Sequence, residues 1–582
     1  MPNSKTEYVC VMNSNFFFIL LVVLSCLTGN ASAAEPVRTQ ANVPVEITFI
    51  AQRPHTDPFN DVTLDVQFTA PDKTVKAVPA FWAGGTSWKV RYSSALTGVH
   101  RWRSVSSDPQ DAGLQGATGV VEVTPYRGSN PLFKRGPVRV AANRRHFEYA
   151  DGTPFFWLGD TWWMGLCHRL HFPDEFKQLV DDRKAKGFNV IQIVAGLYPD
   201  MFPFDPRGAN EAGFPWEADY ARIRPAYFDA ADARLRLLVD NGFTVCLVGA
   251  WGYFLPMMGE GKMKAHWRYL IARYSAWPVV WCAAGEANLP WYQAKNFPAD
   301  DRTMVPGWTA MLRHIRATDP FRRPLTIHPT AINRHNARHV TDDVTLLDFD
   351  FLQTPHGQRG VVPVTVRAVR ESFAAMPRLP VINGEAAYEM LGDKLPTEWT
   401  RAMFWLCLTN GAVGHTYGAN GIWQVNRKGE PHGPSPTAKS SPTGYGVIAW
   451  DEAMHLPGSR QMAYGKEFFE SLPWTRLTPM GDSVVWADSP ADAKEDPLFA
   501  PQMCGIGDRL RVVYVLAPRD ASVRTLRPSA RYAVTYFDPV TGKRSAAPRI
   551  TADAQGVVRI APPAQEHDWV VLLEVIDSGK AK

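Results

Sequence analysis

The sequence predicts an α/β fold: a (β/α)8 TIM barrel flanked by an N-terminal β-sandwich and a C-terminal all-β domain. Two patterns predict it. The middle of the chain alternates apolar runs with helical periodicity, whereas in both flanks apolar and polar residues alternate over short segments. At 582 residues the chain is also too long for one ordinary domain. We therefore divide it into an export signal at 1–33, a sandwich at 36–128, a barrel at 130–470 and a second β domain at 475–582.

The N-terminus has the pattern of an export signal. An apolar stretch of about a dozen residues, 16–27, precedes the small residues Ala-Ser-Ala at 31–33. The stretch is too short to span a bilayer. We expect cleavage after Ala33, no transmembrane segment in the mature chain, and export to the periplasm, the medium or the cell surface. Lipidation at Cys26 is the alternative, although Leu one residue before Ser25 fits a lipidation site poorly.

The region from 36 to about 128 reads as an antiparallel sandwich. Short segments with a period of two recur about every dozen residues and are separated by turn residues. They are 43–51, 62–71, 87–94, 98–107 and 118–125. No acidic pair or histidine cluster stands out there, so we expect a packing or accessory module.

The region from 130 to 470 predicts the barrel. Eight strands that are apolar throughout, with helices between most of them, are what a parallel sheet covered on its outside requires. The eight runs are 154–160, 188–196, 243–251, 279–286, 324–329, 348–356, 379–385 and 411–418. Helical periodicity occupies 174–187, 226–242, 262–275, 366–376 and 398–411. The connection between the fifth and sixth strands has the weakest pattern.

Short alternating segments return from about 475 and predict a second all-β module. They are 483–488, 510–518, 532–543, 556–563 and 568–576. The stretch FDPVTG at 537–542 indicates a strand, a turn and a further strand, because Pro539 and Gly542 supply turn geometry.

Composition narrows the function. The chain has 20 Trp, 18 Tyr and 30 Phe, enough flat rings to fill a large core or to line a groove that stacks on sugars. Its net charge of +5 is dispersed, which argues against nucleic-acid binding. Five cysteines remain after the signal without a Cys-x-x-Cys pair, so we expect buried thiols and neither a disulfide framework nor a thiolate zinc site.

The ends of the predicted strands carry the candidate site, because in such barrels the chemistry lies at the C-terminal ends of the strands. Two carboxylates stand out there. Glu286 closes the fourth strand and Glu385 the seventh, and each follows a glycine. A pair of carboxyl groups, one protonated and one charged, is what glycoside hydrolysis requires. We predict that Glu286 and Glu385 are catalytic rather than partners in salt bridges.

At this point the sequence resembles a known family. The segments GTPFFWLGDTWW, WPVVWCAAGEAN, LPVINGEAAYE and WDEAMHLPGSRQM are similar to the apiosidase-like glycoside hydrolase domain, and the likeness extends over nearly the whole mature chain. The resemblance implies an N-terminal β-sandwich, a catalytic barrel and a C-terminal module named as a collagen-binding domain. By analogy with retaining glycosidases of this barrel type, it implies that Glu286 is the acid/base and Glu385 the nucleophile.

The sequence departs from the family pattern at the acid. Apiosidases carry Asp in a Gly-Gly-Asp context, where this chain has Ala284-Gly285-Glu286. The longer side chain displaces the proton donor by about one carbon–carbon bond, and proton transfer depends strongly on position. We therefore expect the reaction class to carry over and apiose not to.

Aromatic and acidic residues near the strand ends are candidates for substrate binding. Asp160 either bonds sugar hydroxyls or caps the segment that follows it, and we predict substrate binding. Trp162, Trp163 and Trp251 either stack on sugars or fill the core. These alternatives stay open at the sequence level.

The remaining candidates are polar. Three histidines lie at strand ends: His328, His356 and His415. They are candidate partners of sugar hydroxyls rather than metal ligands, because no His-x-His or HExxH spacing is present. Three further residues are candidates for substrate binding. Asn288 orients the acid or the substrate, Tyr388 either hydrogen-bonds near the nucleophile or packs, and Tyr417 lies at the end of the eighth strand.

The sequence thus predicts an exported, retaining glycoside hydrolase that acts on a side chain of a plant or algal polysaccharide, without a metal or an organic cofactor. Its partner is an oligo- or polysaccharide. Two alternatives remain. One is a non-catalytic protein that binds polysaccharide or extracellular matrix, and the other is a polysaccharide lyase in which a His or Tyr abstracts the proton next to a uronate.

Overall fold

The computed structural model describes residues 35–291, 303–331, 334–436, 442–488 and 497–576. The predicted export signal at 1–33 and Cys26 lie outside these residues. Residues 36–582 form one unit by their contacts.

Two sheets face each other in the N-terminal module and make the predicted sandwich. A five-stranded sheet has the order β1-β8-β7-β3-β4, and a three-stranded sheet has the order β2-β6-β5. Rings join the sheets: Phe68 stacks on Tyr92 at 3.9 Å, and Phe49 meets Trp102 edge-on at 5.6 Å. The elements are β1 (Val37–Gln40), β2 (Val45–Ile50), α1 (Pro58–Asp61), β3 (Leu64–Thr69), β4 (Val75–Pro79), β5 (Phe81–Gly84), β6 (Ser87–Tyr92), β7 (Gly98–Ser106) and β8 (Thr118–Thr124). The five predicted strands are confirmed, whereas β1, β4 and β5 carried no prediction.

A short helix and a small antiparallel sheet lead into the barrel. They are α2 (Pro131–Lys134), β9 (Val138–Val140), β10 (Phe147–Tyr149) and β11 (Pro154–Phe155). Phe147 packs against Trp157 and Phe349, with ring centroids 5.6 and 5.2 Å apart. Both partners stand at the starts of barrel strands, so Phe147 covers the end of the barrel opposite the candidate site.

Eight parallel strands form the predicted barrel. Their order is β16-β15-β14-β13-β12-β19-β18-β17, and β16 meets β17 where Asp348 N donates to Leu325 O at 2.9 Å. The strands are β12 (Trp157–Thr161), β13 (Val190–Val194), β14 (Thr244–Val248), β15 (Val279–Cys282), β16 (Leu325–Thr326), β17 (Asp350–Gln353), β18 (Val381–Glu385) and β19 (Gly414–Tyr417). All their residues are buried, as expected of strands covered on both faces.

Helices cover the barrel. They are α3 (Asp174–Ala185), α4 (Pro225–Asp240), α5 (Phe254–Met258), α6 (Glu260–Tyr274), α7 (Val305–Thr318), α8 (Val362–Ala374), α9 (Thr397–Thr409), α10 (Trp450–Ala453) and α11 (Pro457–Glu470). The five predicted helices are confirmed, and α5, α7, α10 and α11 are additional. The described part of the connection between β16 and β17 contains two 3-10 turns and no α-helix, which explains its weak pattern.

The C-terminal module is all-β, as predicted. Its sheets have the orders β20-β22-β23-β28-β25-β26 and β21-β24-β27. The strands are β20 (Thr478–Pro479), β21 (Val484–Trp486), β22 (Gln502–Ile506), β23 (Leu510–Val515), β24 (Ala521–Val523), β25 (Arg531–Phe537), β26 (Arg544–Thr551), β27 (Val558–Ile560) and β28 (Trp569–Val575). The FDPVTG turn is confirmed: β25 pairs antiparallel with β26, and Gly542 has a φ of 72°. The module joins the barrel where Trp405 of α9 stacks on Tyr514 at 5.9 Å and Arg401 pairs with Asp568.

Two further predictions concern single features. The five cysteines are buried free thiols, which confirms the expectation for them. Within the described ranges, every helix is too short or too polar to cross a lipid bilayer.

Candidate active site

A cavity of about 190 Å³ opens at the C-terminal ends of the barrel strands. Strand ends and the loops that follow them both contribute to it. Its lining residues are Trp163, Pro199, Asp200, Trp251, Glu286, Leu289, Thr330, Ala331, Gln353, His356, Glu385, Tyr388, Leu391, Trp423 and Tyr445. Glu286 and Glu385, nearly a hundred positions apart in the sequence, thus face one space.

A glycine precedes each of these carboxylates because an aromatic ring occupies the space of a side chain. A Cβ at Gly285 would lie 2.2 Å from the ring of Trp251, and a Cβ at Gly384 would lie 2.0 Å from the ring of Phe351. Both distances are far below van der Waals contact. The glycines therefore let the backbone pass close to the rings at the points where the two carboxylates enter the cavity.

Glu286 is only partly exposed and sits on a strained backbone, with a φ of 44°. Trp251 Nε1 donates to Oε2 at 3.1 Å, and Gln353 Nε2 donates to Oε1 at 3.0 Å. Burial, with the negative charges of Glu385 and Asp200, raises the pKa of Glu286 to about 8 against the two hydrogen bonds, which lower it. Glu286 is therefore mainly protonated at neutral pH.

Glu385 has the opposite environment. His356 Nε2 lies 3.0 Å from its Oε1, and His328 Nε2 lies 3.2 Å from its Oε2. Burial favours the neutral carboxyl, yet the hydrogen bonds and charge of the two histidines outweigh it and lower the pKa of Glu385 to about 2. Glu385 is therefore ionised. The two carboxyl groups have their pKa values displaced in opposite directions, which is how acid and base roles are separated at one pH.

The wall beside Glu385 is aromatic and hydrogen-bonded. Trp163 Nε1 donates to the hydroxyl of Tyr388 at 3.0 Å. Burial and the charge of Glu385 raise the pKa of Tyr388, so its hydroxyl keeps its proton. Trp163, Trp251, His356 and Tyr388 line the cavity in which substrate contact was predicted for them.

Asp160 and Trp162 lie elsewhere, which corrects their predicted role in substrate binding. Asp160 is fully buried. Its carboxylate accepts hydrogen bonds from Arg183 Nε at 2.6 Å, Trp162 Nε1 at 2.7 Å and Thr161 N at 3.0 Å. Trp162 is 1% exposed and packs edge-on against Phe176 of α3. Both side chains therefore fasten β12 to the helix layer.

His415 and Tyr417 also point away from the cavity, which corrects their prediction. Thr416, between them, bonds Gln192 at 2.7 Å inside the barrel. Because side chains alternate along a strand, His415 and Tyr417 face the helices. His415 packs on Phe404, burial lowers its pKa to about 3, and the Tyr417 hydroxyl donates to buried Glu389 at 2.5 Å.

Asn288 and His328 lie behind the cavity wall, fully buried, which corrects the predicted substrate contact of both. Asn288 Oδ1 accepts from Thr330 N at 2.8 Å, and Thr330 is a lining residue. His328 contacts Glu385 instead of the cavity. The three strand-end histidines therefore do not meet at one point.

Among the lining residues that escaped prediction, four stand out: Asp200, Gln353, Trp423 and Tyr445. Gln353 ends β17 and could have been found there, because the sixth predicted run contains it. The other three lie in loops after β13 and β19, where the sequence has no period to read. Tyr445 and Ser435 hydroxyls donate to Asp200 Oδ1 at 3.3 and 3.1 Å, which links these loops across the mouth.

A (β/α)8 barrel whose mouth holds one protonated and one ionised carboxyl group has the arrangement of a glycoside hydrolase. The family model of the apiosidase-like catalytic domain matches residues 141–476, and that of a domain of unknown function, DUF5060, matches residues 40–107. The chain belongs to the apiosidase-like family, which supports a glycosidase. The collagen-binding resemblance of the C-terminal module stays a prediction.

Solved structures show the same fold. A putative glycoside hydrolase from Bacteroides vulgatus is 18% identical over 93% of this chain and 100% of its own, with a TM-score of 0.64. A glycoside hydrolase family 5 protein from the same organism is 21% identical over 78% of this chain and 96% of its own, with a TM-score of 0.62. Identities this low bear on the fold alone. No curated protein matches the chain.

Proposed function

We propose that the protein is a retaining glycoside hydrolase in which Glu286 is the acid/base and Glu385 the nucleophile. The observation that carries the proposal is the pair of carboxyl groups in one cavity, with the pKa of Glu286 raised to about 8 and that of Glu385 lowered to about 2. A proton donor and an anion facing the same space are the two groups that the reaction needs.

The first step breaks the glycosidic bond. A carboxylate oxygen of Glu385 attacks the anomeric carbon while Glu286 gives its proton to the departing oxygen, which leaves as a hydroxyl. Glu385 is then a neutral ester. Its negative charge no longer raises the pKa of Glu286, so the pKa of Glu286 falls and Glu286 stays a carboxylate, the form that can act as a base.

The second step releases the sugar. Glu286, now a carboxylate, takes a proton from water as the water oxygen attacks the anomeric carbon. The ester bond to Glu385 breaks, and Glu286 is protonated again. His328 and His356 keep Glu385 anionic and hold both its oxygens in place, which makes it a better leaving group here.

For the substrate we propose a sugar on a side chain of a plant or algal polysaccharide, by family likeness. We propose further that the enzyme acts after export, because the N-terminal pattern is that of a cleaved signal. The lyase alternative is less well supported, since His328 and His356 each have a ring nitrogen in contact with Glu385.

Screening against plant and algal polysaccharides tests the proposal. Wild-type protein should release a reducing sugar from at least one polysaccharide, whereas Glu385→Ala should release none. Products that absorb in the ultraviolet would indicate a lyase. Binding without turnover, equal in wild type and Glu385→Ala, would indicate a binding protein. Either result would contradict the proposal.

A further inference from the structure

One aromatic side chain stands out on the rim of the candidate site. Phe202 is 48% exposed, and it is the aromatic member of the exposed large hydrophobic residues in the described ranges. It lies in the loop after β13, two residues beyond Asp200, which lines the cavity. A single exposed apolar ring is common on protein surfaces, so the meaning of Phe202 depends on what lies next to it.

A second ring lies against it. Trp291 is half-buried, and its centroid is 5.4 Å from that of Phe202 at an interplanar angle of 66°. Buried Tyr253 packs on Trp291 at 4.9 Å and donates through its hydroxyl to Tyr198 O at 2.8 Å. The contact with buried Tyr253 therefore fixes the position of the Trp291 ring.

The loop that carries Phe202 is bent so that the ring stays outside. Asp200 and Phe204 have φ values of 56° and 60°, a left-handed conformation that is costly for a bulky residue. Phe204 turns inward and packs on Tyr220 and Phe214 at 5.2 and 5.6 Å. The chain thus partly buries Phe204 among other rings and leaves Phe202 exposed.

Trp291 follows the candidate acid, Glu286, by five residues. Leu289 N donates to Glu286 O at 2.9 Å, a tight turn that brings Leu289 into the cavity wall and Trp291 next to it. The oxygen that Glu286 protonates belongs to the leaving group. Trp291 comes two residues after Leu289 and Phe202 two residues after Asp200, and both Leu289 and Asp200 line the cavity.

We infer that Phe202 and Trp291 form a platform on which the leaving group stacks, and that this leaving group is itself a sugar ring of an oligo- or polysaccharide. The inference rests on the proposed function and goes beyond it, because it assigns a subsite outside the two carboxylates. A sugar presents a flat C–H face to such rings, whereas a small alkyl alcohol does not reach them.

Kinetics with two substrates test the platform. The polysaccharide found by screening has a sugar as its leaving group, whereas the glycosyl fluoride of the released sugar has no ring on that side. Phe202→Ala should lower kcat/KM for the polysaccharide about tenfold, a typical loss on truncating an aromatic anchor. It should leave kcat/KM for the fluoride unchanged. Phe202→Tyr should retain the activity on both substrates.

The control is Met376→Ala, at a side chain that is 73% exposed and precedes β18 at the other end of the barrel. It should affect neither substrate. Unchanged kcat/KM of Phe202→Ala on the polysaccharide would overturn the platform and leave the proposed function standing, as would an equal loss on both substrates. If wild type hydrolyses neither substrate, the proposed function fails and the platform with it.

Discussion

Replacing Glu286 by Gln should stabilise the protein at neutral pH. The pKa of Glu286 rises from 4.5 to about 8 on folding. The contribution of such a group to the free energy of unfolding is fully present below its unfolded pKa of 4.5, and it is lost as the pH rises from there through the folded pKa of about 8. At pH 7 the loss approaches about 3 kcal/mol at 1.36 kcal/mol per pKa unit, and partial solvent screening reduces it to about 1–2 kcal/mol. Glutamine has the same shape and carries no charge.

The assay is thermal or urea unfolding of wild type and variant at pH 7 and pH 4, and it needs no substrate. Glu286→Gln should unfold later than wild type at pH 7, and the two should coincide at pH 4. Glu385→Gln is the matched control with the opposite sign. It removes an anion that His328 and His356 contact, so it should destabilise at pH 7. A Glu286→Gln protein that is less stable than wild type at pH 7 would refute the argument.

Two further predictions follow from single contacts. Gln353→Met removes a hydrogen bond of 3.0 Å to Glu286 that stabilises the carboxylate form, so the pKa of Glu286 should rise. The alkaline limb of the kcat/KM–pH profile, expected near pH 8 in wild type, should therefore move up by about one pH unit. A limb that does not move would contradict the role of Gln353. Asp160→Asn removes the fully buried one of the two carboxylates that pair with Arg183, while Asp182 remains. It should cost about 2 kcal/mol in urea unfolding with KM unchanged, whereas a raised KM in a stable protein would support the predicted substrate contact.

The fold was predictable because apolar residues recur along the chain with clear periodicity. Strands that are apolar throughout predict a parallel sheet covered on both faces, and segments in which apolar and polar residues alternate predict the flanking β modules. The strands that carried no prediction are short, such as β5 and β20, and β26 was indicated only by the turn before it, because most of its residues face solvent. A few residues give no period to read, and an exposed edge strand has no apolar face.

The site was predictable only in part, because a position at a strand end does not determine whether the side chain faces the cavity or the helices. Glu286 and Glu385 enter the cavity, whereas Asp160 and Tyr417, equally close to strand ends, face the helices. One residue of register decides between the two faces. Thr416 inside the barrel fixes that register, and its contact with Gln192 appears only in three dimensions.

Loop residues were beyond the reach of sequence reasoning. Asp200 enters the cavity through a left-handed backbone and bonds Tyr445 across the mouth. Neither the conformation nor the partner leaves a pattern along the chain. Phe202 likewise gains meaning only from its exposure and from the ring of Trp291 beside it.

Trapping the glycosyl-enzyme tests the central claim most directly. A 2-deoxy-2-fluoro glycosyl fluoride of the sugar that the enzyme releases should inactivate wild-type protein, and mass spectrometry of the digested protein should find the sugar on the peptide that contains Glu385. A label on any other residue, or turnover with inverted anomeric configuration and no label, would contradict the assignment of Glu286 and Glu385 to one retaining mechanism.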